Sequence, residues 1–329
     1  MFSLRFDSID LGEGYVRGAH IRLVAGIKGH AGGNSVNVEQ QVAFAVDIPS
    51  TPSHAILNEW IRPLQDFLIL ALGRPVRLTN LRLRPTKAAL HDDMVRVSFE
   101  AIQPAPGPTA SWSAIMSYTA PTLLTFADSP ISFGDLLPRW FELRSELSEV
   151  FVLLHAPYYA PFMFSEHRYS STFQSAEALA HARGFAGREK PRKEHEKRVD
   201  SIVSAARGSG VDENDVQWAE RVLQSRNDKP LAQQIHDLVA STGAIGESVL
   251  AACPAFGEVA AASRTGVSHP GTPKRIDAVE RHGYADVLRW IVRARALMDL
   301  GISTEEVERR VLQRAGFQDA LGSIRKDEL

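Results

Sequence analysis

The stretch FGEVAAASRTGVSHPG, residues 256–271, decides how the second half of this chain is read. It extends an apolar run in which Val249, Leu250, Phe256 and Val259 are expected to face the core, predicting a helix over 246–265 with a kink at Pro254. Arg264 would then sit in the last turn, where the helix macrodipole favours a cation. Gly266 loosens the backbone and Pro270-Gly271 ends regular structure, so His269 falls just past the helix end. On an unbroken helix, side chains five residues apart diverge by about 140°. Convergence of Arg264 and His269 therefore requires the chain to unwind after Arg264.

Outward from this stretch the pattern stays helical. Helices are predicted at 168–185, near 212–226, 230–241 and 278–300, and a short one near 303–315. SFGDLLPRWFELRSELSEVFVLLH (132–155) carries one long apolar stripe from Leu136 through Trp140 to Leu154. REKPRKEHEKR (188–198), dense in both signs, reads as a solvated loop or a helix start. The first hundred-odd residues differ. Segments 20–26, 37–48, 76–84 and 94–102 alternate apolar and polar residues and read as strands, punctuated by Gly and Pro. One helix, SHAILNEWIRPLQDFLILAL (53–72), interrupts them, with Pro63 set to kink or split it. The expected fold is α+β. A β-rich N-terminal domain with an embedded helix (1–157) precedes an all-α helical bundle (158–329).

With 329 residues and a formal charge of −2, the chain has the size of two domains and no overall field attracting polyanions, so nucleic acid would meet a local basic patch. The single cysteine, Cys253, excludes a disulfide framework and a Cys-based zinc site, and fits a reducing, cytoplasmic setting. No cofactor or metal site is expected. Charged residues at Arg5, Asp7 and Asp10 leave no export signal, and no apolar run approaches a membrane span. The closing Lys326-Asp327-Glu328-Leu329 spells an ER-retention address, read here as a charged tail because no entry signal precedes it.

An arginine and a histidine brought together suit phosphodiester cleavage without a metal. The guanidinium neutralises charge developing on the phosphate oxygens. The imidazole moves the proton to or from the attacking 2′-hydroxyl or the leaving 5′-oxygen, which makes the substrate RNA. The bare spacing is weak, since Arg and His recur at similar intervals at Arg188/His195 and Arg275/His282. Only the Arg264 pair joins an apolar helix end to a turn. Trp60, Trp140 and Trp290 read as core, Arg281 and His282 as surface, and Arg293 and Arg295 as an exposed helix face.

Residues 256–271, followed by DAVERHGYADVLRWIVRARALMDLGI (277–302), resemble the end of a HEPN domain, more narrowly the ApeA-type HEPN proteins of bacterial anti-phage defence. FQSAEALAHARGF (173–185) is similar to the first helix of that domain, with Glu177 at its acidic position, and LQDFLILALGRPVRLTNLRL (64–83) is similar to the ApeA N-terminal domain. The resemblance implies a metal-independent endoribonuclease that leaves a 2′,3′-cyclic phosphate and acts on RNA such as transfer RNA in abortive infection. It implies a composite active site across a homodimer, built from Arg264, Thr265, His269 and Glu177. The N-terminal domain would sense a phage-derived trigger. Thr265 departs from the Asn, Asp or His usual after the arginine, which keeps open a catalytically inactive scaffold for dimerisation or for binding RNA or a partner.

Overall fold

The computed structural model describes residues 2–5, 9–32, 35–49, 53–85, 92–101, 122–124, 129–160, 163–268 and 278–324. The chain forms two compact units, Met1–Phe164 with Arg293–Ala320, and Ser165–Val292 with Leu321–Leu329. The fold is α+β: a strand-rich beginning with an embedded helix gives way to helices.

In the first unit, six antiparallel strands form one sheet: β1 (Phe2–Arg5), β2 (Ile9–Val16), β3 (Ala19–Gly32), β4 (Ser35–Pro49), β5 (Val76–Pro85) and β6 (Asp92–Ala101). The order is β1-β3-β4-β6-β5, with β2 also paired to β3. The four strands read from alternation are β3 to β6. The first two were not anticipated, because DLGEG lacks the β-branched alternation that marks a strand.

The embedded helix is a composite: α1 (Ser53–Ile56), a π-helical stretch Leu57–Ile61, and α2 (Arg62–Leu72). Pro63 has no N–H for the preceding turn, and the chain passes it through the wider π turn instead of breaking. The expected single helix at 132–155 is two, α3 (Phe133–Glu146) and α4 (Ser148–Tyr159), separated at Leu147. Trp140 is fully buried, packs edge-on against Phe151 and donates its indole N–H to the Pro63 carbonyl at 2.8 Å.

Asp66 on α2 is buried with it. It accepts hydrogen bonds from Arg144 Nε at 2.8 Å, His155 Nδ1 at 3.0 Å and the Tyr159 hydroxyl at 2.6 Å, joining α2, α3 and α4. Arg62 lies over the Tyr159 ring at 4.0 Å. Burial pushes the Asp66 carboxyl up, but its bonds to His155, Tyr159 and Arg144 outweigh that and hold it below the usual carboxylate range. Burial dominates at His155 and depresses the imidazole despite the pull of Asp66, so the ring is neutral.

The second unit is helical: α5 (Ser165–Ala182), α6 (Arg192–Gly208), α7 (Glu213–Ser225), α8 (Leu231–Ala240), α9 (Ala244–Ala252) and α10 (Phe256–Ser268). Three more helices, α11 (Ala278–Asp299), α12 (Thr304–Leu312) and α13 (Ala315–Ile324), complete the chain. The stretch 188–198 resolves into a short loop and the start of α6. That helix runs on because Val199 and Val203 bury themselves against Val216 of α7. Pro254 breaks the expected 246–265 helix outright, leaving α9 and α10 at 75°. No single helix among the described residues is long and apolar enough to cross a membrane.

Arg293, expected on an exposed face, is instead 3% exposed. Its guanidinium donates to the Leu70 carbonyl at 2.8 and 3.1 Å, at the end of α2 where no intrahelical donor remains. Gly73 ends that helix with a left-handed φ of 66°, and a Cβ there would lie 2.4 Å from the Arg293 guanidinium.

Both depressed pKa values act in one direction. The folded state binds fewer protons than the unfolded, so stability from His155 is lost as pH falls below about 6.5, and that from Asp66 below about 4. Chemical denaturation at stepwise lower pH should therefore give a falling midpoint for the first unit. Asp66→Asn should remove about 3 kcal/mol at neutral pH, by leaving Arg144 without its anion, and should flatten the decline below pH 4.

Candidate functional site

One face of α5 organises the second unit. Glu166, Tyr169, Phe173, Glu177 and Ala180 recur at helical spacing, with Tyr169, Phe173 and Ala180 buried. Near one end of this face, Glu166 meets Arg281 of α11 at 2.8 Å. Further along, Glu177 meets Arg264 of α10 at 3.8 Å. Between them the Tyr169 hydroxyl donates to the Ala260 carbonyl at 2.8 Å, one turn before Arg264. Burial raises the Tyr169 pKa, so the phenol remains a proton donor to that carbonyl.

The approach of α10 is close. A Cβ at Gly257 would lie 2.3 Å from the Ala232 carbonyl of α8, so only glycine permits this crossing. Phe256 and Ala260 are fully buried beside it. With its first turns held in this way, α10 does not unwind at Gly266 as the sequence led us to expect. It continues to Ser268. A single glycine inside a packed helix costs only about 1 kcal/mol, too little to undo the packing of Phe256 and Ala260. Arg264 consequently lies a full turn before the helix end.

Of the four residues singled out in the sequence, the structure brings Arg264 and Glu177 together. Thr265 lies within α10, with only its backbone described, and His269 lies outside the described residues. The Arg264 side chain is about one-third exposed, and its Nε is buried with no hydrogen bond among the described residues. One edge of the guanidinium thus faces Glu177 while part of the side chain stays accessible.

Residues 171–306 match the family described as Apea-like HEPN, a span that takes in Glu177, Arg264, Thr265 and His269. These residues form an Apea-like HEPN domain. The HEPN assignment carries a nuclease-type, defence-type role at the level of the family. Comparison with curated proteins and with solved structures gave no match.

The second unit also contains a pair that sequence reasoning missed. Arg281, read as a surface residue, is 3% exposed, because Glu166 offers it a carboxylate at 2.8 Å. Glu166 lies eleven residues before Glu177 on the same α5 face, and that periodicity was the available signal. His282 is exposed, as expected, and pairs with Asp286 at 3.3 Å.

A half-exposed pair at 3.8 Å is screened by water and contributes little to folding. A double-mutant cycle between Arg264→Ala and Glu177→Ala should return a coupling below about 1 kcal/mol in unfolding free energy. A larger coupling would mean that this pair holds the domain together, and that loss of Arg264 cannot be read as loss of chemistry alone.

Proposed function

We propose that the HEPN domain is a metal-independent endoribonuclease. The observation that carries this reading is the half-exposed guanidinium of Arg264, set against Glu177 inside the Apea-like HEPN match. In this reading Arg264 receives the phosphate and stabilises the charge that builds up on its oxygens as the 2′-hydroxyl attacks. Glu177 orients the guanidinium. His269 exchanges the proton with the attacking and leaving oxygens, and Thr265 hydrogen-bonds at the same site. The products are a 2′,3′-cyclic phosphate and a 5′-hydroxyl.

Two copies of the motif facing each other across a homodimer would complete the site, and this removes the need for Arg264 and His269 of one chain to converge. Transfer RNA is the proposed substrate class, and cleavage in the cytoplasm of an infected cell the proposed setting. Residues 1–157 would sense the phage-derived trigger.

A second reading is favoured by the continuity of α10 to Ser268, which keeps Arg264 on a regular helix right up to the residue before His269. In that reading the domain is an inactive scaffold for dimerisation or for binding RNA or a partner.

Incubation of the purified protein with end-labelled transfer RNA in EDTA should yield cyclic-phosphate ends. Arg264→Ala and His269→Ala should each slow cleavage by at least about 100-fold with an unchanged melting temperature. Variants that cleave at the wild-type rate would sink the ribonuclease reading. RNA binding by the wild type without cyclic-phosphate ends would establish the scaffold.

A further inference from the structure

The first unit contains a concentration of positive charge that the ribonuclease reading does not use. Arg309, Arg310, Gln313 and Arg314, at the end of α12 and the turn that follows, line an open pocket of about 440 Å³. Arg310 is 5% exposed and rigidly held, donating Nη1 to the Leu123 carbonyl at 2.8 Å and Nε to Glu306 at 2.6 Å. Arg309 grips the same carboxylate through two bonds at 2.7 and 2.8 Å. The two guanidinium groups hold the Glu306 pKa down to about 2, so that one carboxylate stays ionised and is shared between two cations. Arg314 makes no ion pair among the described residues, and its Nε is buried without a hydrogen bond.

A cluster of arginines at a helix C-terminus could serve only to complement the helix dipole. Here two of the terminal carbonyls already have other donors. Val311 O accepts from the backbone N–H of Arg314, and Leu312 O from the Gln318 side chain at 2.9 Å. The next helix, α13, starts directly after Arg314, whose carbonyl accepts from the N–H groups of Phe317 and Gln318. That places the positive end of a ten-residue helix beside the pocket. Among the described residues, three guanidinium groups and a helix N-terminus meet at this concave site, and Glu306 is the carboxylate that pairs with Arg309 and Arg310.

We propose that Arg309, Arg310, Gln313 and Arg314 form a phosphate-binding pocket for nucleotide phosphate, supplied either as a terminal monoester or as the backbone diester of RNA. Arg310, fixed by Leu123 and Glu306, is the rigid wall. Arg314 presents the donors that engage the phosphate oxygens, its planar fork suited to two parallel bonds, and Arg309 adds positive charge at the rim. The Gln313 amide supplies a neutral donor. This site stands apart from the Arg264 chemistry and does not depend on it.

The test uses the full chain carrying Arg264→Ala, so that RNA stays intact, with AMP and a single-stranded oligoribonucleotide lacking a terminal phosphate as probes. Calorimetry for AMP and fluorescence anisotropy for the RNA should show binding by the chain with an intact pocket. Arg314→Gln should weaken it at least tenfold, and Arg309→Gln with Arg314→Gln further, with unchanged melting. The slope of log Kd against log salt for the RNA should fall by about one for each arginine removed. Binding of AMP identifies the monoester as ligand, and binding of the oligoribonucleotide alone identifies the diester. Should Arg309→Gln unsettle α12 by releasing Glu306, Arg314→Gln alone carries the test. The proposal fails if neither probe binds, if the Arg314 variant binds as the parent does, or if Arg221→Gln on α7 weakens binding as much. None of these outcomes bears on cleavage, which is read separately with Arg264 present.

Discussion

Asp66 places a carboxylate where water cannot reach it, and a buried charge persists only if protein donors replace the lost solvent. Three side chains from two other helices meet that demand, and in doing so they bring α2, α3 and α4 together around Trp140. The helix that carries Asp66 must also pass Pro63, and the π turn before it keeps the chain helical where a proline would otherwise break it. Its far end has a second unmet demand, the carbonyls at Leu70 and Ala71. Arg293 and the backbone N–H of Leu123 supply the donors. Arg310 in turn holds the Leu123 carbonyl. Arg293, Ala71, Leu123 and Arg310 are thus linked in a series of hydrogen bonds.

In the second unit the corresponding constraint is steric. Gly257 lets α10 lie against the backbone of α8, and Tyr169 ties the turn before Arg264 to α5. Arg264 is therefore carried on a helix that is fixed over most of its length, with Glu177 as the only carboxylate paired with it among the described residues. The backbone that carries the guanidinium is thus fixed, while the side chain itself is held only by the screened contact with Glu177. The Glu166–Arg281 pair ties α11 to the same face of α5, so a single helix serves both arginines.

Much of this was legible in the chain. Period-two alternation located β3 to β6, and helical periodicity located α2, α5 and α7 to α12, because each of those segments buries one face against a core. Pro63 and Pro254 both marked perturbed helices, yet one is absorbed by a π turn and the other separates two helices at 75°. Which of these happens depends on what the flanking residues pack against, and no local pattern records that. Gly266 misled for the same reason, since helix propensity is weak beside tertiary packing.

By itself the sequence determined the fold class, the HEPN-like character of the helical part and the identity of the Arg264–Glu177 pair. The fold class rests on residue types at short, regular spacing; the HEPN-like character and the placing of Glu177 with Arg264 rest on the resemblance of residues 173–185 and 256–302 to that family. The tertiary structure alone decided that Arg293–Ala320 belongs with Met1–Phe164, that Arg281 and Arg293 are buried, and that three arginines after Glu306 surround one pocket. An arginine has the same hydropathy whether it faces water or a buried carbonyl. Whether its charge is solvated or satisfied inside depends on acceptors 115 residues away for Arg281 and 223 away for Arg293, and only the folded chain brings those acceptors within reach.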